Sequence, residues 1–388
     1  MHILSFQRSF IGPTETFIYH DLQALQQQAQ VSVACLEQKH EAELPFDPVY
    51  VLTHSEIRLW RSLMWRLYQR GVWLNQANAS FRTQWQELTQ KVKPDIVLLQ
   101  YGFDALKVLH NDPRPKQPVF IHFHGYDASQ LLLNPAYCWA LQKLAKRPEV
   151  YWLTPSRYMK NALEKAGVPV PGARHAVVHY GIELSHFKPE RSEFTTRPFR
   201  FLQISSFREK KGHFYTLQAF SKLAEANPDL SWELILAGQG EKWDETRELA
   251  QALGLQDKVI FPGLVNRDQA RDLMNQVNAF VHHSITDSRG DQEGIPNAIM
   301  EAMAMGLPVI STLHAGIPEL VTEEENGWLV AEKDVPAYAQ ALYTAIKQTD
   351  YRPQSREKVM QEFEREKRTQ RLLRLFAAAM NGEDISKV

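Results

Sequence analysis

Short apolar runs punctuate the first half of the chain, at His2 to Phe6, Val31 to Leu36, Val49 to Thr53, Asp95 to Gln100, Val119 to His124 and Val150 to Pro155. Several are nearly unbroken rather than alternating, the pattern of parallel strands covered on both faces. Between many of them lie stretches of helical length, such as Glu15 to Gln30 and Asn134 to Lys146. This succession predicts an α/β fold built on a parallel sheet. A second series starts at Phe199 to Ser205 and continues through Trp232 to Ala237, Lys258 to Pro262, Ala279 to His283, Pro308 to Thr312 and Gly327 to Ala331. The architecture repeats, and two domains are expected.

The polar stretch from Glu190 to Pro198, just after Gly181 to Pro189, separates the two series and places a domain boundary there. Ser355 to Met380 reads as one charged amphipathic helix, with Val359, Phe363, Leu372, Leu373, Leu375 and Phe376 as its apolar side.

Composition narrows the function classes. The 388 residues carry 44 Lys+Arg against 45 Asp+Glu, so there is no global electrostatic footprint for nucleic acid. Up to position 185 there are 19 basic and 15 acidic residues, a modest local excess of positive charge. Cys35 and Cys138 are the only cysteines, far apart, which supports neither a disulfide framework nor a structural zinc site and fits a reducing compartment. The first residues lack the charged start and apolar core of a signal peptide, and the longest uncharged stretch, Ala302 to Pro318, is broken by Gly306, Pro308 and Gly316. A cytoplasmic protein is expected.

The most informative stretch runs from Gly290 to Ser311 and reads as loop, helix, turn and strand. Pro296 suits the first helical turn, and Gly306 with Pro308 ends the helix. The amides of Gly294, Ile295 and Asn297 are then left free at a helix N-terminus, whose dipole favours a phosphate or diphosphate. Glu293 and Glu301 flank this point. At helical rise they stand roughly 12 Å apart, too far for an acid and base acting on one glycosidic bond but suited to gripping hydroxyls at two ends of a diphosphate ligand. An isolated Glu in such a place would otherwise serve only the helix dipole or a solvated face.

These residues resemble the Glu-x7-Glu signature of retaining glycosyltransferases of family four. Val178 to Pro189 is similar to the family's linker, Leu236 to Gly240 to its mid-domain turn, and Thr14-Glu-Thr-Phe17 to the subset associated with exopolysaccharide and colanic-acid-type synthesis. The resemblance implies the GT-B fold: two Rossmann-like doubly wound domains facing across a cleft, an acceptor-side domain over 1–185, a nucleotide-sugar domain over 186–365, and a C-terminal helix over 366–388 crossing back to the first domain. It implies that Glu301 holds the ribose, and that Glu293, Gly294, Ile295, Pro296 and Asn297 hold the donor sugar and diphosphate. Lys211 matches the family's phosphate-facing Lys. The usual Arg is replaced by Ser206, with Arg208 as a substitute from a shifted loop; a merely solvated basic loop is the other reading.

In the first domain His124, within Phe123-His-Gly-Tyr-Asp127, follows a strand as the family's His-Gly-x-Asp does. The resemblance sets it in the cleft; a lone His is otherwise more often structural. Glu15 and Asp127 are acceptor-side candidates, and Glu15 could equally cap the following helix with Thr14 at its N-cap. The implied reaction is transfer of a hexose, with retention, from a nucleoside diphosphate sugar to a hydroxyl of a saccharide or lipid-linked acceptor. No Asp-x-Asp stands at a strand end, so metal independence is expected, with no cofactor beyond the sugar nucleotide. A GT-B epimerase and a non-catalytic sugar-binding subunit are the alternatives. A nicotinamide or flavin enzyme fits poorly, because Gly238-Gln-Gly240 lacks its third glycine.

Residues 57–73 interleave Arg58, Arg61, Arg66 and Arg70 with Trp60, Trp65, Tyr68 and Trp73. They read either as a peripheral anchor for the anionic inner face of a membrane or as a core helix with a basic outer side.

Overall fold

The computed structural model describes residues 1–11, 16–53, 79–190, 198–348 and 354–388. Glu15 and the basic, aromatic segment 57–73 lie outside them. The chain divides into two compact units, Met1–Gly181 with Arg365–Val388, and Ile182–Glu364.

The first unit contains a sheet of β1 (His2–Phe10), β2 (Gln30–Gln38), β3 (Val49–Val51), β4 (Ile96–Gln100), β5 (Val119–His122), β6 (Val150–Thr154) and β7 (His175–Val177). All neighbours pair in parallel, in the order β3-β2-β1-β4-β5-β6-β7. Successive side chains go to opposite faces, which explains the unbroken apolar runs. Leu4, Phe6, Val97 and Leu99 enter one core, while Ile3, Val33, Ile96 and Leu98 enter the other. The short edge strand β7, which carries a buried histidine, has no counterpart among the expected runs.

The second core is closed by the helix Arg365–Met380, whose Leu372, Leu375 and Phe376 are fully buried in it. The expected single helix from Ser355 to Met380 is therefore two, Ser355–Glu362 and Arg365–Met380. The break falls where the backbone N–H of Ile182 donates to the Phe363 carbonyl at 2.7 Å, a long-range bond that amphipathic periodicity does not register. Within the first unit, Arg368 forms a buried ion pair with Asp21 of the helix Thr16–Gln26, at 2.7 Å.

The second unit contains β8 (Phe199–Ile204), β9 (Trp232–Ala237), β10 (Val259–Gly263), β11 (Ala279–His282), β12 (Val309–Thr312) and β13 (Gly327–Val330), all parallel, in the order β10-β9-β8-β11-β12-β13. In each sheet the order reverses once, between β1 and β4 and between β8 and β11. Open α/β sheets bind ligands outside the carboxyl ends of the strands at such a switch point. The ligand-facing loops are therefore those after β1, β4 and β5 in one unit, and after β8 and β11 in the other.

Candidate active site

In the second unit the loop after β8 contains Arg208 and a single tight turn, Glu209–Lys211, before Gly212. Gly212 has φ 64°, and a Cβ there would lie 1.7 Å from the His283 carbonyl oxygen, so only glycine lets this loop lie against the end of β11. The turn is locked to the loop after β11. Ser288 Oγ donates to Glu209 at 2.6 Å, and the Ile285 N–H donates to the Lys210 carbonyl at 2.9 Å.

This brings the two lysines onto two carboxylates. Lys211 Nζ lies 2.9 Å from Glu293, and Lys210 Nζ lies 2.9 Å from Asp291 and 3.7 Å from Glu293. Glu293 is buried. Burial alone would raise its pKa, but Lys211 and Lys210 outweigh it and hold the carboxyl well below the usual carboxylate range. For Lys210 burial works downward, yet Glu293 and Asp291 carry the net shift up. Lys210 and Asp291 were absent from the sequence-derived site. The signal for them is adjacency: Lys210 precedes Lys211, and Asp291 stands two residues before Glu293.

The helix beyond Glu293 begins at Asn297 rather than in the turn before it, and Pro296 is its N-cap with extended backbone. Glu293 to Pro296 is loop, so the all-helical rise assumed between Glu293 and Glu301 does not hold. The amides of Gly294, Ile295 and Asn297 have no hydrogen-bond acceptor among the described residues, and Asn297 Oδ1 is buried without a partner. Glu301 is half-buried on the same helix. Two half-buried positive side chains balance two negative ones, so what is left to attract an anion is the helix N-terminus and its free amides. Arg208 is exposed and makes no side-chain hydrogen bond or ion pair among the described residues; it acts on the cluster only through its charge, which works against the protonated Lys210.

Gly238 and Gly240 have a different task. Both have positive φ, and a Cβ would lie 2.0 Å from Ser205 O and 2.5 Å from Phe207 O respectively. They allow the turn after β9 to pack against the loop after β8.

In the first unit His124 is half-buried, with Phe17, Tyr101, His122 and Tyr180 rings around it at centroid separations of 5.2, 4.7, 4.2 and 5.9 Å. Its Nε2 lies 2.7 Å from Gln100 Oε1 and its Nδ1 2.8 Å from the Tyr180 hydroxyl. The amide oxygen can only accept, so the network assigns the proton to Nε2 and leaves Nδ1 to accept from Tyr180. Burial, then Arg368, pushes the pKa well below the ordinary value, so the ring is neutral and both nitrogens are occupied. Asp127 is fully buried and accepts from the backbone N–H groups of Gly102, His124 and Gly125 at 2.8, 2.9 and 3.2 Å. It builds the turn that carries His124 and presents nothing to an acceptor, which corrects its placement among acceptor-side residues.

With this geometry in hand, comparison with known proteins gives the class. Residues 14–186 match the family described as Glycosyltransferase Family 4, and residues 186–366 match that described as Glycosyl transferases group 1. The chain thus carries a family-four glycosyltransferase domain followed by a group-1 glycosyl transferase domain, together spanning residues 14–366.

It is 34% identical over 228 residues to a protein of Escherichia coli K12 named for colanic acid biosynthesis, WcaL, covering 59% of this chain and 55% of that one. It is 30% identical over 256 residues to the amylovoran biosynthesis glycosyltransferase AmsK of Erwinia amylovora, covering 64% and 60%. The matches thus span little more than half the length of these relatives.

Among solved structures, the sucrose-phosphate synthase of Thermosynechococcus elongatus superposes with TM-score 0.77 at 16% identity, over 99% of this chain and 100% of that one. HepE of Anabaena in complex with UDP-glucose superposes with TM-score 0.76 at 18% identity, over 97% and 100%. These likenesses establish the GT-B fold.

Proposed function

We propose that this chain transfers a hexose, with retention at the anomeric carbon, from a nucleoside diphosphate sugar to a hydroxyl of a saccharide or lipid-linked saccharide in surface polysaccharide synthesis. The observation that carries the reading is the pairing of half-buried Lys211 with buried Glu293 next to the unpartnered amides of Gly294, Ile295 and Asn297. A diphosphate takes the amides and the helix N-terminus, and Glu301 takes the ribose. Glu293 takes the sugar hydroxyls. Lys211, now shared between carboxylate and phosphate, meets the charge that develops on the leaving group. Fixed donors aimed at that charge lower the barrier without reorganising during the reaction.

The first unit takes the acceptor side. His124, neutral and doubly hydrogen-bonded, contributes there by orientation and by its aromatic surroundings rather than by proton transfer. The similarity to WcaL and AmsK, one named for colanic acid and the other for amylovoran, supports a polysaccharide acceptor, and the UDP-glucose complex of HepE supports a sugar nucleotide donor. Membrane-borne acceptor would bring segment 57–73 to an anionic surface, at about 1 kcal/mol for each basic residue near it.

The test is a panel of UDP, GDP and ADP sugars scored by thermal shift and by hydrolysis. One nucleotide sugar is expected to stabilise the protein and to be slowly hydrolysed. Binding of nicotinamide dinucleotide instead, with no response to any sugar nucleotide, would overturn the reading.

A further inference from the structure

The loop that carries Glu293 is held by hydrogen bonds that the proposed reaction does not use. His314, just after β12, is fully buried, and its Nε2 accepts the backbone N–H of Glu293 at 3.1 Å. Its Nδ1 lies 2.6 Å from Oε1 of Glu332, which follows β13. A carboxylate accepts, so Nδ1 carries the proton and Nε2 keeps the lone pair that the Glu293 amide needs. Glu332 is fixed in turn by the Thr286 N–H at 2.8 Å, and Thr286 Oγ1 accepts from the Gln292 side chain at 3.0 Å. Two residues beyond His314, the Gly316 N–H donates to the Gly294 carbonyl at 3.2 Å. The segment after β12 therefore grips the Glu293–Gly294 unit at both ends, by the N–H of one residue and the carbonyl of the next.

We propose that His314 is a positioning residue for Glu293, set in its working tautomer by Glu332, and that it serves the sugar end of the donor rather than the nucleotide end. The proposal rests on the reading of Glu293 as the group that meets the donor sugar. Glu301 and the amide of Asn297 belong to the helix itself and do not hang on His314, so the two ends of the donor can be told apart. Loss of the imidazole acceptor leaves the Glu293 amide without its partner and the loop free to drift, which misplaces the carboxylate by enough to matter for orientation.

Calorimetry decides it, with UDP against UDP-glucose and GDP against GDP-mannose, continued with whichever pair the unsubstituted protein binds. His314→Phe keeps the ring and removes both nitrogens; His314→Gln returns an acceptor oxygen near the place of Nε2. The expected result for His314→Phe is affinity for the nucleoside diphosphate within about threefold and a loss of about tenfold or more for the sugar nucleotide, partly restored in His314→Gln. Equal losses for both ligands, or no loss for either, would make His314 purely structural or idle and overturn the proposal. If His314→Phe does not fold, Glu332→Gln, which frees the imidazole to change tautomer, is read by the same two ligands and the same criterion. An unsubstituted protein that binds none of the four ligands would instead remove the reading of the site itself.

Discussion

The two units carry the same kind of sheet, with polar side chains gathered at the carboxyl ends of parallel strands, yet they use them in opposite ways. In the first unit the polar groups of the turn after β5 are closed off by their neighbours. Asp127 accepts three backbone amides, and His124 is closed between Gln100 and Tyr180. In the second, four charged side chains pair off while backbone amides beside them stay open. A neutral, aromatic-walled surface suits a hydroxyl-rich acceptor; open amides at a helix N-terminus suit an anion. The same topology thus supports two ligand chemistries, and the difference lies in which donors the fold leaves unspent.

The sharpest way to break this comparison is to remove the charged pair. Glu293→Gln and Lys211→Ala each delete a charge-assisted contact, worth about 1.5 to 3 kcal/mol, and up to roughly a hundredfold in transfer rate is expected to go with it. His124→Gln is expected to spare sugar-nucleotide binding. Transfer assays beside donor calorimetry check both, and undiminished transfer in Glu293→Gln would end the assignment of the second unit as the donor side.

The first unit has its own charged pair, and it is structural. Arg368 is buried, held 2.7 Å from Asp21 and donating from Nε to the His179 carbonyl at 2.8 Å. Arg368→Ala leaves the buried Asp21 carboxylate with only the weaker charge of Arg365 nearby, and breaking a buried pair costs up to about 3 to 5 kcal/mol. Hydrogen exchange should show the helix Arg365–Met380 and its Thr16–Gln26 neighbour losing protection while the second unit keeps its own.

Acid separates the units further. Burial strongly lowers three histidines in each unit: His122, His124 and His175 in the first, the last to about 4, and His213, His282 and His283 in the second, the last two to about 3 and 4. A histidine lowered by folding binds fewer protons in the native state. Its stabilising contribution is complete above the unfolded value near 6.5 and falls away as pH drops toward the folded one, by an amount on the order of 3 kcal/mol for a shift from 6.5 to 4. The carboxylates then act with opposite sign. Burial raises Asp127 to about 6, so its contribution is present at low pH and lost as pH rises through 6; on acidification it is regained. Glu293 is lowered, so its contribution is lost as pH falls below the ordinary carboxylate range. Acid therefore meets partial compensation in the first unit and an added penalty in the second. Hydrogen exchange at pH 7, 5 and 4, corrected for the intrinsic rate, should find the second unit opening first.

Much of this was legible in the sequence, and the failures have physical causes. Near-continuous apolar runs announced the strands because both faces of each sheet are covered. β7 escaped because three residues at an edge, one of them His175, make no run. Glu293 and Lys211 stood out through local spacing. Their partners did not: His314 and Glu332 reach Glu293 only through the parallel order of β11, β12 and β13, which no local window contains. Asp127 was misread because spacing shows a carboxylate after a His-Gly turn but not which amides it will face.

The smallest expected effect concerns the departure at Ser206. Were Arg208 the replacement for a missing phosphate-facing cation, its guanidinium would be expected to be held in place beside Glu293. Its side chain is exposed instead, without a hydrogen bond or ion pair among the described residues, while Lys210 is held by Asp291 and Glu293. An exposed cation acting on a ligand through solvent is worth about 0 to 1 kcal/mol and is screened by salt. Arg208→Ala should therefore cost less than about fivefold in donor affinity, and that cost should fade between low and physiological ionic strength. Lys210→Ala should cost more, with less fading, because its half-buried charge is held against two carboxylates. Donor titrations of both variants at two salt concentrations check the pair, and a large, salt-insensitive loss in Arg208→Ala would show that the loop after β8 rearranges to bring the guanidinium onto the ligand.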